Sequence, residues 1–204
     1  MLFRKNTPFI ESDLESVLKA CREGSAQAQR VLFQQHFGYV KSICLRYASS
    51  PEESEDVLNE AFLKVFQNLS KYDEKQPFKP WLRTVVVNTA ISHYRKHHKK
   101  QRDTVTLEDA PVARFDDNIL ENITADEILE LVQQLRPDYR NVFMMYAVDG
   151  YGHREISEML TINEATVRSH YARARARLQH LIKQYYPDLF PTDWEMKSYK
   201  QNEN

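Results

Sequence analysis

Behind Asn163, apolar and aromatic residues recur three and four positions apart, at Val167, Tyr171, Ala174, Leu178 and Leu181. At about 100° per residue these fall on one stripe, a spacing that a helix gathers and a strand scatters over both faces. Asn163 is a residue type that caps such a helix by accepting from its free N–H groups. The opposite face carries Ala165, Arg168, Ser169, Ala172, Arg173 and Ala176, flanked by Arg175 and Arg177. A long helix from Glu164, apolar on one side and basic on the other, is the first requirement on the fold.

What precedes it narrows the options. Arg136-Pro137-Asp138 opens a helix at a position where proline's missing N–H costs nothing, and Tyr139–Val148 continues it to Asp149-Gly150. A short helix over Arg154–Leu160 and the turn Thr161-Ile162-Asn163 follow. Short helix, three-residue turn and longer basic helix make the helix-turn-helix layout, whose second helix enters the major groove of DNA. Small residues on the basic face let the backbone approach base edges. Arg168 and Arg173 can donate to guanine or phosphate, and Arg175 and Arg177 suit phosphate contacts.

The rest of the chain also reads as helical. Helices are expected from Ser12 (as cap) to Cys21, over Ser25–Ala48, from Pro51 with its apolar face at Leu58, Phe62, Val65 and Leu69, and from about Pro80 to Lys100. Four glycines in 204 residues leave no glycine-rich phosphate loop and few tight turns, so a Rossmann or P-loop site is excluded. Cys21 and Cys44 have no metal-ligand spacing and sit among apolar helical residues, as inert buried thiols do. No signal-peptide or membrane-length apolar run occurs, so the chain is expected to be cytoplasmic, with no membrane insertion.

Charge is segregated. A formal net charge of −1, evenly spread, would argue against a nucleic-acid partner. Instead residues 52–60 hold five acids and no base, while 81–102 hold six bases and no acid, with His93, His97 and His98 among them. Residues 103–130 hold nine acids and one base, and 163–183 hold five bases and one acid. Two basic blocks with an acidic stretch between them suggest two nucleic-acid-facing surfaces joined by a linker. Tyr94 and the histidines interleave with Arg95 and Lys96, a composition suited to single strands, whose bases stack on rings. The histidines are expected to be solvated and DNA-facing. On the helix from Pro51, Asp56, Glu60 and Leu63 lie opposite the core stripe, with Asn59 at its edge. A leucine exposed among carboxylates suggests a protein-docking face.

These residues together resemble a family, the bacterial RNA polymerase sigma factors, and within it the small extracytoplasmic-function (ECF) group. The resemblance covers about residues 14–183. It rests on the run Ser54–Phe66, on Phe78-Lys79-Pro80-Trp81-Leu82 with Asn88, on Leu135-Arg136-Pro137 with Arg140 and Val142-Phe143, on Gly150-Tyr151 and Glu155-Ile156-Ser157, and on Thr166-Val167-Arg168-Ser169 with Arg173-Ala174-Arg175. It departs at Ser92, where the family often has an acid, and at the turn before Ile162, which lacks the family's common glycine.

The resemblance implies an all-α fold of two small helical domains joined by an acidic linker, the second containing a helix-turn-helix. The expected boundaries are 1–102, a linker at 103–122, 123–183, and a tail at 184–204. It implies that Asp56, Asn59, Glu60 and Leu63 dock on core RNA polymerase. Lys71, Tyr72, Phe78, Arg83, Asn88, Tyr94, Arg95 and Lys96 would capture the melted minus-ten element of promoter DNA. Ala165, Thr166, Arg168, Ser169, Arg173, Arg175 and Arg177 would read the minus-thirty-five duplex. It also implies a partner common in the group, an anti-sigma factor, and no catalysis, cofactor or metal. Two other readings compete on the residues alone. One is a stand-alone helix-turn-helix regulator, which gives no reason for two basic blocks; the other is a nuclease using Asp56 and Glu60, toward which no further acid or histidine converges.

Overall fold

The computed structural model describes residues 8–97 and 123–189, which belong to two separate units. All regular structure among them is helical. The stretch 98–122, with the expected linker, Lys99, Lys100 and Arg102, lies outside the described residues, as does the tail beyond 189.

In the first unit, α1 spans Leu14–Arg22, α2 Ala26–Tyr47, α3 Pro51–Asn68 and α4 Phe78–His97, with a 3-10 turn at Leu69–Lys71 after α3. Each of the first three helices begins on a side-chain cap, at Asp13, Ser25 and Ser50. At α3 two side chains share the capping. Ser50 Oγ accepts from the Glu53 N–H at 3.2 Å, and Glu53 Oε2 accepts from the Ser49 N–H at 2.6 Å. The stripe Leu58, Phe62, Val65 and Leu69 is buried against α2 and α4, whose contributions include Leu32, Val40, Ile43, Leu82, Val86 and Val87. Each such side chain removed from water stabilises the unit by about 1.5–3 kcal/mol. Cys21 and Cys44 are buried here too, and burial pushes their thiols up to about 11 and about 12 respectively.

The second unit contains α5 (Ala125–Gln133), α6 (Pro137–Phe143), α7 (His153–Leu160) and α8 (Glu164–Tyr185), with a 3-10 turn at Pro187–Leu189. Thr124 and Glu127 form a capping box at the start of α5. Val167, Ala174, Leu178 and Leu181 of α8 close the core with Val132, Val142, Met145, Ile156 and Leu160. Arg140 is also inside, 2% exposed, where its guanidinium donates to the backbone carbonyl of Gln133 at 3.3 Å and to Gln133 Oε1 at 2.8 Å. Neutral dipoles thus solvate a buried charge.

Several boundaries differ from the sequence expectation. The first cap is Asp13, one residue after Ser12. Helix α4 starts at Phe78, which puts Pro80 inside the first turn, where the N–H it lacks has no intrahelical partner to lose. The helix expected over Tyr139–Val148 is α-helical only to Phe143; Met144–Val148 widens into a π-helical turn that presents Tyr146 and Val148 to solvent. Helix α8 continues two residues past 183, to Tyr185.

Candidate nucleic-acid interface

Helix α8 starts on Asn163, whose Oδ1 accepts from the Thr166 N–H at 2.7 Å and from the Thr166 hydroxyl at 2.9 Å. The turn before it is closed by Ser157, which donates from Oγ to the Ile162 carbonyl at 2.6 Å. Thr161 supplies the change of direction in a left-handed conformation, φ +56° and ψ +48°. That is the position where the sequence lacks a glycine.

The basic face of α8 is assembled as its periodicity requires. Ala165, Arg168, Ser169 and Arg177 are exposed, and Thr166, Ala172, Arg173, Arg175 and Ala176 are half-buried. Arg168 pairs with Glu164 one turn earlier. Such an exposed pair is worth little and is readily exchanged for a phosphate or base. Arg173 donates from Nη1 to the Tyr139 hydroxyl at 3.3 Å. Tyr139 also has Arg136 over its ring at 5.2 Å and His170 edge-on at 5.1 Å. Arg175 lies over Tyr171 at 5.8 Å from the ring centroid, and Tyr171 packs on Tyr146 at 4.6 Å. Two of the four arginines are therefore held by tyrosines, Arg173 by a hydroxyl and Arg175 by a ring, and neither contact neutralises the guanidinium.

In the first unit, the residues expected to meet a single strand divide into two sets. Lys71, Asn88, Arg95 and Lys96 are exposed, and Arg83 is half-buried. Tyr72, Phe78 and Tyr94 are buried, at 8%, 4% and 7% exposure. Tyr72 packs on Phe78 and Trp81 with ring centroids 5.4 and 5.1 Å apart, so these rings shape the base of the loop between α3 and α4. Tyr94 continues the buried series Val87, Ala90 and Ile91, at helical spacing. Its charged neighbours suggest a surface position, and the buried series overrides them. His93 is not freely solvated either. It is half-buried, its Nδ1 lies 3.3 Å from Glu53 Oε1, and its ring stacks on His97 at 4.3 Å. His98 lies outside the described residues.

On α3, Asp56 and Asn59 are exposed, Leu63 is 56% exposed, and Glu60 is half-buried and paired with Lys64 at 2.7 Å. The sequence reading missed the neighbouring aromatic edge. Phe37 of α2 is 37% exposed and leads through Phe33 (5.4 Å) to Phe62 of α3 (4.5 Å). The i, i+4 spacing of Phe33 and Phe37 was the available signal. Among the described residues, no group of three or more metal-ligating side chains converges, and no helix is long and apolar enough to cross a membrane.

Comparison with known proteins follows the same division. Residues 32–100 match the model of sigma-70 region 2, and residues 125–178 match that of sigma-70 region 4. The chain is 26% identical over 166 residues to RNA polymerase sigma factor CarQ of Myxococcus xanthus, covering 79% of this chain and 92% of that one. It is 28% identical over 155 residues to ECF RNA polymerase sigma factor SigM of Bacillus subtilis, covering 74% and 92%. To ECF RNA polymerase sigma factor SigM of Mycobacterium tuberculosis it is 29% identical over 172 residues, covering 84% and 85%. A solved sigma factor, RpoE of Bartonella quintana in complex with the anti-sigma factor NepR, overlays 76% of this chain at a TM-score of 0.47 and 18% identity.

Proposed function

We propose a division of labour for this chain, which belongs to the sigma-70 family, in its ECF group, and directs promoter-specific transcription initiation with core RNA polymerase. The unit of α1–α4 docks on core polymerase through Asp56, Asn59, Glu60 and Leu63 and captures the melted minus-ten strand. Lys71, Asn88, Arg95 and Lys96 face that strand, and Tyr72, Phe78 and Tyr94 act from beneath as the packed support of that surface. The unit of α5–α8 lays α8 in the major groove of the minus-thirty-five element, Arg168 and Ser169 toward base edges, Arg173, Arg175 and Arg177 toward base or phosphate.

The observation that carries this reading is the one-sided sign of α8. Arg168, Arg173 and small residues share the face opposite its core stripe, Arg175 and Arg177 flank it, and its one acid, Glu164, is already paired. The chain itself performs no bond-making step; polymerase does. It works in the cytoplasm, where polymerase and promoter meet, and before docking its exposed α3 surface is the natural target of an anti-sigma factor.

The test is reconstitution of the full chain with core polymerase, followed by mapping of transcription starts. Arg168→Ala should lower initiation at a cognate promoter by about 1–3 kcal/mol if a base contact is lost. Unchanged run-off transcription would refute the assignment of that residue, and salt-dependent operator binding without polymerase would favour a stand-alone regulator.

A further inference from the structure

The segment between α3 and α4 is tied to the remainder of its unit by a side chain far away in sequence. Arg22, the last residue of α1, donates from Nε to the carbonyl of Leu69 at 3.1 Å and pairs through Nη1 with the carboxylate of Glu74. Leu69 begins the 3-10 turn that follows α3, and Glu74 lies in the exposed stretch 73–77. One guanidinium therefore grips the segment at two points five residues apart.

Further hydrogen bonds within the segment are local. The Tyr72 hydroxyl donates to the Gln76 carbonyl, Asp73 Oδ1 accepts from the Lys75 N–H at 3.0 Å, and the Gln76 N–H donates to the Asp73 carbonyl at 3.0 Å. Bonds of this kind fix the shape of a turn but not its direction relative to α4. Direction comes from Tyr72, wedged on Phe78 and Trp81, and from Arg22. The grip has an electrostatic side as well. Asp73 and Glu74 would both repel a phosphate backbone, and Arg22 neutralises one of them beside Lys71 and Lys75.

We infer that Arg22 is the positioning residue of the loop that reads the minus-ten strand, holding Leu69–Gln76 in its DNA-competent direction without touching DNA itself. This rests on the assignment of that loop to the minus-ten element. A planar fork can serve a carbonyl and a carboxylate together, whereas a lysine ammonium on a flexible stem holds such a pair less firmly. Arg22→Lys should therefore retain part of the effect and Arg22→Ala none.

The experiment uses full-length chain, core polymerase and a promoter panel carrying each base at each minus-ten position. Arg22→Ala is expected to reduce open-complex formation at the best promoter at least tenfold and to flatten the preference among minus-ten bases. Arg22→Lys should lie between it and wild type. Both variants should keep core-polymerase affinity and upstream-duplex affinity within about twofold, with circular dichroism melting curves reporting the fold. Undiminished base preference in Arg22→Ala overturns the inference, and so does an equal loss of core-polymerase affinity, which would mark a general defect. A Lys71→Ala, Asp73→Ala, Lys75→Ala triple variant separates the two levels. If it abolishes base preference while Arg22→Ala does not, the Arg22 role alone fails; if it is silent, the loop is not the reader and both fail.

Discussion

The guanidinium of Arg173, on the basic face of α8, is anchored on the hydroxyl of Tyr139, 34 positions earlier at the start of α6. A long side chain that would otherwise sample many rotamers is held close to where a DNA backbone or base edge would meet it, which lowers the entropy lost on contact.

Tyr139→Phe removes that acceptor and keeps the ring under Arg136. We expect upstream-duplex affinity to fall by about 1 kcal/mol, roughly fivefold, with the melting temperature nearly unchanged. Arg173→Ala should cost more, and the double variant should cost no more than Arg173→Ala alone. Fluorescence anisotropy on the promoter duplex at fixed salt measures all three.

Leu63 is exposed, so its replacement tests docking without disturbing the core. Leu63→Ser and Glu60→Lys should each weaken binding to core polymerase at least tenfold while leaving thermal stability within about 0.5 kcal/mol. Co-migration with core polymerase at wild-type affinity on size exclusion would refute the docking assignment.

Thr161 holds a left-handed backbone with a β-branched side chain. That conformation costs roughly 1–2 kcal/mol in an L-residue, and glycine avoids it at the expense of about 0.4–1 kcal/mol of unfolded-chain entropy. Thr161→Gly should thus stabilise the second unit by about 0.5–1 kcal/mol, visible in chemical denaturation as a higher midpoint at unchanged slope.

His36 is buried edge-on against Phe78 at 5.2 Å, with Nδ1 donating to the Leu32 carbonyl at 3.2 Å. Burial, and to a lesser degree Lys79, holds its pKa below the usual 6.5. The unfolded chain therefore binds this proton more readily than the folded one. The stability that neutral His36 contributes is present above about pH 6.5 and is lost as pH falls through the lower folded value. His170 in the second unit is shifted the same way, chiefly by burial. Melting temperature measured from pH 7.5 to pH 5 should fall more steeply for wild type than for His36→Gln; parallel curves would refute the role of His36.

The helices were legible where one stripe of side chains had one destination. Val167, Ala174, Leu178 and Leu181 on α8, and Leu58, Phe62 and Val65 on α3 with Leu69 in the turn after it, are buried as their spacing requires. The π-helical turn at Met144–Val148 was not, because one residue added to a turn leaves a short apolar run looking like ordinary helix. Tyr94 is illegible for another reason: its immediate neighbours are charged, while the buried series it continues decides its place. Arg22 and Glu74 lie 52 positions apart, and nothing in periodicity joins residues at that distance. Such pairs become visible only when the fold brings them together.

Helix α4 passes from one environment into another. Phe78, Leu82, Val86, Val87, Ile91 and Tyr94 hold it in the core, and Arg95, Lys96 and His97 project beyond the last of these anchors. At 1.5 Å per residue it is a rod of about 30 Å, clamped along most of its length like a cantilever. A force applied at Arg95 or Lys96 cannot be absorbed by bending the shaft without lifting valine and isoleucine side chains out of the interior. Load placed on Arg95 and Lys96 is therefore carried into the packing of α4 on α2 and α3.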